Sequence, residues 1–256
     1  MDSQDNIDFQ DALVVALDTR RQLESKLNDI AQIIEVNNTI VELVETSLKD
    51  IKEKILNLGK GGGISSQIDN IIQQLSNIPN NEEVLLGKSR MREQVLVLFV
   101  SAFETYLCEL IRGIANCEPS KFKFSDKKEK ISFDQQLLKD DFTLGDALLE
   151  HMISKGANFQ DLKSTIETLK NYLDMQIELS HEDRDILILS ASMRHVIIHN
   201  SSMVNRKFLN QVRDTAFNDT YKKADTITVE PELVSDLKTA ILGFADQLVS
   251  MIAAIQ

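Results

Sequence analysis

Arg194, His195 and His199 bring one guanidinium and two of the chain's four imidazoles within six residues. Histidine titrates near neutral pH, so it can both accept and return a proton. Arginine stays charged and binds a phosphate through two parallel N–H groups. The residue types therefore suit acid–base chemistry on a phosphate-bearing substrate. His195 and His199, four apart, share one helical face. Arg194 does not share it with His199, because five residues turn an α-helix by about 500° and leave the two about 140° apart. A two-fold pairing of these helices, or a break near Asn200, would bring the arginine of one chain to the histidine of the other. Two blander readings stand beside this one. The i, i+4 histidines could ligate a metal, but no third ligand with recognisable spacing accompanies them. All three residues could also be satisfied side chains at a non-catalytic interface.

The element that carries them is an aliphatic-rich stretch over 182–200, read as a helix. Its surroundings are helical as well. The chain has 3 Pro, 9 Gly and no Trp, and Leu, Ile, Glu, Lys, Gln and Asn are prominent, a composition that favours helices over sheets. From Phe9, apolar positions alternate at spacings of four and three through Leu13, Ala16, Leu23, Leu27 and Ile30 onward to Leu58. Arg20 and Asn37 are polar exceptions that fix register or partner choice. This pattern predicts a long helix with a seam against another helix. Gly59 to Gly63 should end that helix, and the resumed spacing from Ile64 to Ile78 predicts an antiparallel return. The return is shorter, so the seam over 9–40 needs a further surface, either the rest of the chain or a second copy.

Pro79-Asn-Asn places a boundary near residue 80, giving two units: a coiled-coil-like hairpin over 1–80 and a helical domain over 81–256. In the second unit Phe99, Phe103, Tyr106, Leu107, Leu110 and Ile114 form a core-facing stripe. More helices are predicted at 144–155, 161–177, 206–217 and 231–255, the last with Pro231 in its first turn. Thr226-Ile-Thr-Val is the one strand-like run and reads as an extended connection.

A net charge of −12, from 40 acidic and 28 basic residues, argues against indiscriminate coating of nucleic acid. The densest positive charge lies in a lysine-rich loop that includes Lys121, Lys123, Lys127 and Lys128, which would guide a polyanion. No uninterrupted apolar run of bilayer length and no signal-like start is present, so a soluble, cytoplasmic protein with no membrane association is expected. Cys108 and Cys117 are too few for a disulfide framework and read as reduced structural thiols.

Arg194-His-Val-Ile-Ile-His199 resembles the R-x4-6-H motif of HEPN domains. The following Asn200-Ser-Ser-Met-Val-Asn-Arg-Lys-Phe-Leu, and the upstream Phe99-Val-Ser-Ala-Phe-Glu-Thr-Tyr-Leu-Cys-Glu-Leu, are similar to segments of its RiboL-PSP-like branch. The resemblance spans most of residues 82–256. The position after the motif arginine, often Asn in the family, is His195 here. What the resemblance implies is an all-α HEPN bundle acting as a metal-independent endoribonuclease, with no cofactor. A homodimer would line one cleft with motif residues from both chains. Arg194 and His199 would be catalytic, His195 would assist, Glu104 would support the site from the preceding helix, and Asn200 would join the RNA contacts. A toxin, abortive-infection or defence setting follows, with an antitoxin or other protein partner docking through the N-terminal hairpin. The competing expectation is a non-catalytic RNA- or protein-binding module.

Overall fold

The structure, a computed structural model, describes residues 4–57, 70, 73, 82–123 and 142–254. Within them lie seven α-helices: α1 (Gln4–Asn57), α2 (Glu82–Cys117), α3 (Leu144–Ser154), α4 (Leu162–Leu173), α5 (His181–His199), α6 (Arg206–Gln211) and α7 (Pro231–Ala254). One 3-10 turn, Pro119–Lys121, follows α2. The fold is an all-α bundle, and the described residues form no sheet. The run at 226–229 contributes a single antiparallel bridge, Met203 to Thr226, and is otherwise the extended connection its sequence suggests.

The core is one continuous apolar cluster drawn from every long helix. Phe99, Leu107, Leu110 and Ile111 of α2 and Leu237, Ile241, Phe244 and Leu248 of α7 are almost fully buried. Each large side chain removed from water in this way contributes roughly 1.5–3 kcal/mol. Phe103 meets the edge of Phe244 at a centroid distance of 5.1 Å, locking α2 to α7.

The first half of α1 packs along both of these helices. Leu23 and Leu27 are buried, and Leu13 and Ile30 are partly buried against the same cluster. The surface that receives this part of the seam is therefore the rest of the chain. Arg20, a polar interruption in the heptads, donates from Nε to Asp246 Oδ1 of α7 at 2.7 Å and also pairs with Glu24. It thus joins α1 to α7 at a fixed register. Helix α1 approaches α2 closely at Gly113, where an added Cβ would sit 2.4 Å from Val15 Cγ1. The expected hairpin turn at Gly59 to Gly63, and the return over 64–78, lie outside the described residues.

Local signals account for most helix starts. Thr143 and Asp146 form a reciprocal capping box on α3, while Asp161, Ser180 and Asn205 accept backbone N–H groups at the starts of α4, α5 and α6. Two ends fall short of the sequence reading. Helix α4 stops at Leu173 rather than 177 because Asp174 turns left-handed, with φ of 57°. Helix α6 stops at Gln211 rather than 217, where Thr215 bonds the Val212 carbonyl through its hydroxyl and its N–H. Helices α2 and α7 are long and apolar enough to cross a bilayer by length and composition, but both supply the centre of this core.

Candidate functional site

The sequence of α5 alternates buried aliphatics with the polar groups of interest, so its last turns carry Met193 and Val196 inward and leave His199 exposed. Arg194 is turned toward α2. Its Nη2 lies 3.1 Å from Glu104 Oε2, and the two side chains are 17% and 16% exposed. Burial is the main influence on Glu104 and pushes its carboxyl above the usual glutamate value. Arg194 and a hydrogen bond from the Gln160 side chain oppose that rise. Arg194 Nε is buried and meets no hydrogen-bond partner among the described residues. The guanidinium is thus fixed at one end and incompletely satisfied along its edge.

The histidines lie together, their ring centroids 5.0 Å apart. Lys207 Nζ sits 3.4 Å from His195 Nε2. Partial burial holds the His195 pKa below its ordinary value, and the charges of Lys207, His199 and Arg194 push it the same way. Every charged neighbour that influences His195 is therefore basic. On a protein of net charge −12, this gathers basic side chains in one place.

Lys207 reaches this place through the turn that ends α5. Asn200 N–H and Ser202 N–H both donate to the Val196 carbonyl, and Ser201 and Ser202 adopt φ of 52° and 60°. This closure gives the Val196 carbonyl two donors and reverses the chain. The Asn200 side-chain amide donates to the Met203 carbonyl, and Ser202 Oγ donates to Glu93 Oε2 of α2 at 2.9 Å. Asn205 then caps α6, whose first turn returns Lys207 to His195. Asn200 accordingly holds the turn through its side chain.

The structure brings Arg194, Glu104, His195 and His199 to one region of α5 and α2. It does not bring Lys121 and Lys123 there. These lie beyond the C-terminal end of α2, about 20 Å of helix from Glu104. Lys121 is 3.7 Å from Glu118, and Lys123 is 2.5 Å from Asp174. Lys127 and Lys128 lie outside the described residues. Sequence reasoning missed Lys207 and Gln160. Neither has a spacing that signals the site, since one arrives by a left-handed turn and the other from the loop before α4. Among the described residues no third His, Cys, Asp or Glu joins the two histidines as a metal-binding group. No protein-family model, curated protein or solved structure matches the chain.

Proposed function

We propose that the chain is a HEPN-type endoribonuclease that cleaves RNA by attack of a 2′-hydroxyl on the adjacent phosphate, without a metal ion. The observation that carries this reading is the basic cluster of His195, His199 and Lys207 beside an arginine anchored by Glu104. In this reading His199, exposed and unencumbered, takes the 2′-hydroxyl proton. The 2′-oxygen bonds to phosphorus, the bond to the 5′-oxygen breaks, and the proton returns from imidazole to that oxygen. The products are a 2′,3′-cyclic phosphate and a 5′-hydroxyl. Arg194 holds the phosphate and offsets the charge that develops on it. Because Arg194 and His199 lie on different sides of α5, a homodimer with α5 near its two-fold axis best combines them. The resemblance adds a toxin or defence setting and a protein partner docking through the N-terminal hairpin expected from the sequence.

The test is purified protein with labelled RNA, with and without chelator. Wild type should cut in both conditions. His199→Ala and Arg194→Ala should each lose about 10²-fold or more in rate, and His195→Ala should lose less. Wild type that cuts no RNA tested, or variants that retain full activity, would replace this reading.

One observation favours a second reading, a non-catalytic RNA- or protein-binding HEPN module. Arg194 is already paired with Glu104 and largely covered, so its charge is partly spent within the fold. A wild type that dimerises and binds RNA but leaves it intact would select that reading.

A further inference from the structure

A cavity of about 420 Å³ opens between α1, α2 and the first two turns of α7. That volume is in the range of small-molecule sites. Its body is apolar, made by Ala31 and Ile34 of α1, Met91 and Phe99 of α2, and Val234 of α7. Its polar lining is mostly cationic: Lys88, Arg92 and Lys238, against the one carboxylate of Glu35.

The state of these cations is the informative part. All three residues are partly covered, with the Lys238 ammonium bonded at an exposed position. None of them forms an ion pair among the described residues. Lys238 Nζ donates to the Asn28 side-chain carbonyl at 2.7 Å, and Arg92 Nε donates to the Val229 carbonyl at 2.6 Å. Both partners are neutral. They position the side chains and leave the charge uncompensated. Three such groups around one apolar cavity, on a chain of net charge −12, are complementary to a ligand with an apolar body and an anionic head.

We infer that this cavity binds a free amphipathic anion, its apolar body against Ile34, Met91 and Val234 and its head between Lys88, Arg92 and Lys238. The site is separate from the histidine cluster and does not depend on the ribonuclease reading. It does adjoin the turn after α5. Val229, which holds Arg92, belongs to the segment whose Ile227 N–H donates to the Ser202 carbonyl at 2.8 Å.

The experiment uses the full chain and decanoate as the probe, measured by displacement of the fluorescent anion anilinonaphthalenesulfonate and by direct calorimetry. Decanol supplies the same body without the charge, and inorganic phosphate a charge without the body. Decanoate should saturate one site, while decanol and phosphate bind at least about tenfold more weakly. Lys238→Gln and Arg92→Gln should each weaken decanoate about tenfold or more. Ser235→Trp, at an exposed position on the lining, should block the cavity without entering the core. Because Arg92 also ties down Val229, its variant could lose structure, so Lys238→Gln with an unchanged melting temperature is the independent check. Decanol binding as tightly as decanoate, or decanoate binding unaltered in both Lys238→Gln and Ser235→Trp, would overturn the assignment.

Discussion

Arg194 on α5 and Glu104 on α2 meet at 3.1 Å, with both side chains mostly covered by the bundle. The pair joins two core helices, and its carboxylate is held above the usual glutamate pKa by burial despite the neighbouring charge. A group whose folded pKa is raised contributes stability that is full below its unfolded pKa. That contribution is lost as pH rises through the folded value. Removing the arginine should raise the folded pKa of Glu104 further. Arg194→Ala should therefore cost about 1–3 kcal/mol at neutral pH, where Glu104 is left charged and unpaired. The part of that cost due to Glu104's charge should shrink as pH falls toward the ordinary glutamate value of 4.5. Urea melts at several pH values measure this directly, and Glu104→Gln should remove the wild type's decline across that window.

His195 gives the opposite sign. Its folded pKa is lowered, so the folded state binds fewer protons than the unfolded one. Its contribution to stability therefore grows as pH climbs from the folded value through the ordinary 6.5. Lys207→Gln deletes the largest of the charge effects that disfavour protonation, second only to burial itself. The His195 ring should then titrate at higher pH, read by NMR of the imidazole C–H signals, and part of that stability gain should vanish. An unmoved His195 titration would show that Lys207 does not act on the ring.

Much of this arrangement was legible because helical periodicity is local. The stripe from Phe99 to Ile114 and the spacing from Leu233 to Ile252 predict α2 and α7 with their inward faces. The heptads predict Leu23 and Leu27 as seam residues, and Arg20 as a register-setting interruption, which its bond to Asp246 explains. What the sequence could not supply was set by backbone conformation at single residues. Asp174, Ser201 and Ser202 take left-handed φ without being glycine, so the early end of α4 and the reversal that delivers Lys207 left no compositional mark. Lys121 and Lys123, read from the sequence as part of a loop that would guide a polyanion, stand apart from the motif. Charge density along a chain says nothing about which end of a bundle carries it, and their nearest partners are acids at the far end of α2.

The close approach of α1 and α2 is testable through Gly113. Gly113→Ala would place a methyl 2.4 Å from Val15 Cγ1, so α1 or the Val15 side chain must shift. The expected loss is about 1–3 kcal/mol, typical of overpacking in a fixed core. Val15→Ala in the same chain removes the clashing methyl and should recover part of that loss. Without such recovery in denaturation midpoints, the helices would not be in contact there.

The packing of α1 also predicts that its first half is part of the fold. Leu27 is fully buried, so Leu27→Ala should cost about 2–5 kcal/mol through lost burial and the cavity left behind. Exposed Leu43 on the distal half of the same helix is the control, and Leu43→Ala should change stability by less than about 0.5 kcal/mol. Equal effects at the two positions would contradict this division of α1.

The last prediction concerns how the two halves of the motif combine. Within one chain Arg194 faces Glu104 on α2, whereas His199 is exposed beside His195. If RNA cleavage uses an arginine from one protomer and a histidine from the other, two inactive variants should complement each other. Refolding Arg194→Ala together with His199→Ala at equal concentration gives about half heterodimers. With one of their two composite sites intact, activity should return to about a quarter of wild type. Each variant refolded alone should stay at its own low level. A site built within a single protomer predicts a different result. In every heterodimer one chain then lacks Arg194 and the other lacks His199, so mixing restores nothing. The recovered rate, measured on labelled RNA in chelator, therefore separates a shared cleft from two independent ones.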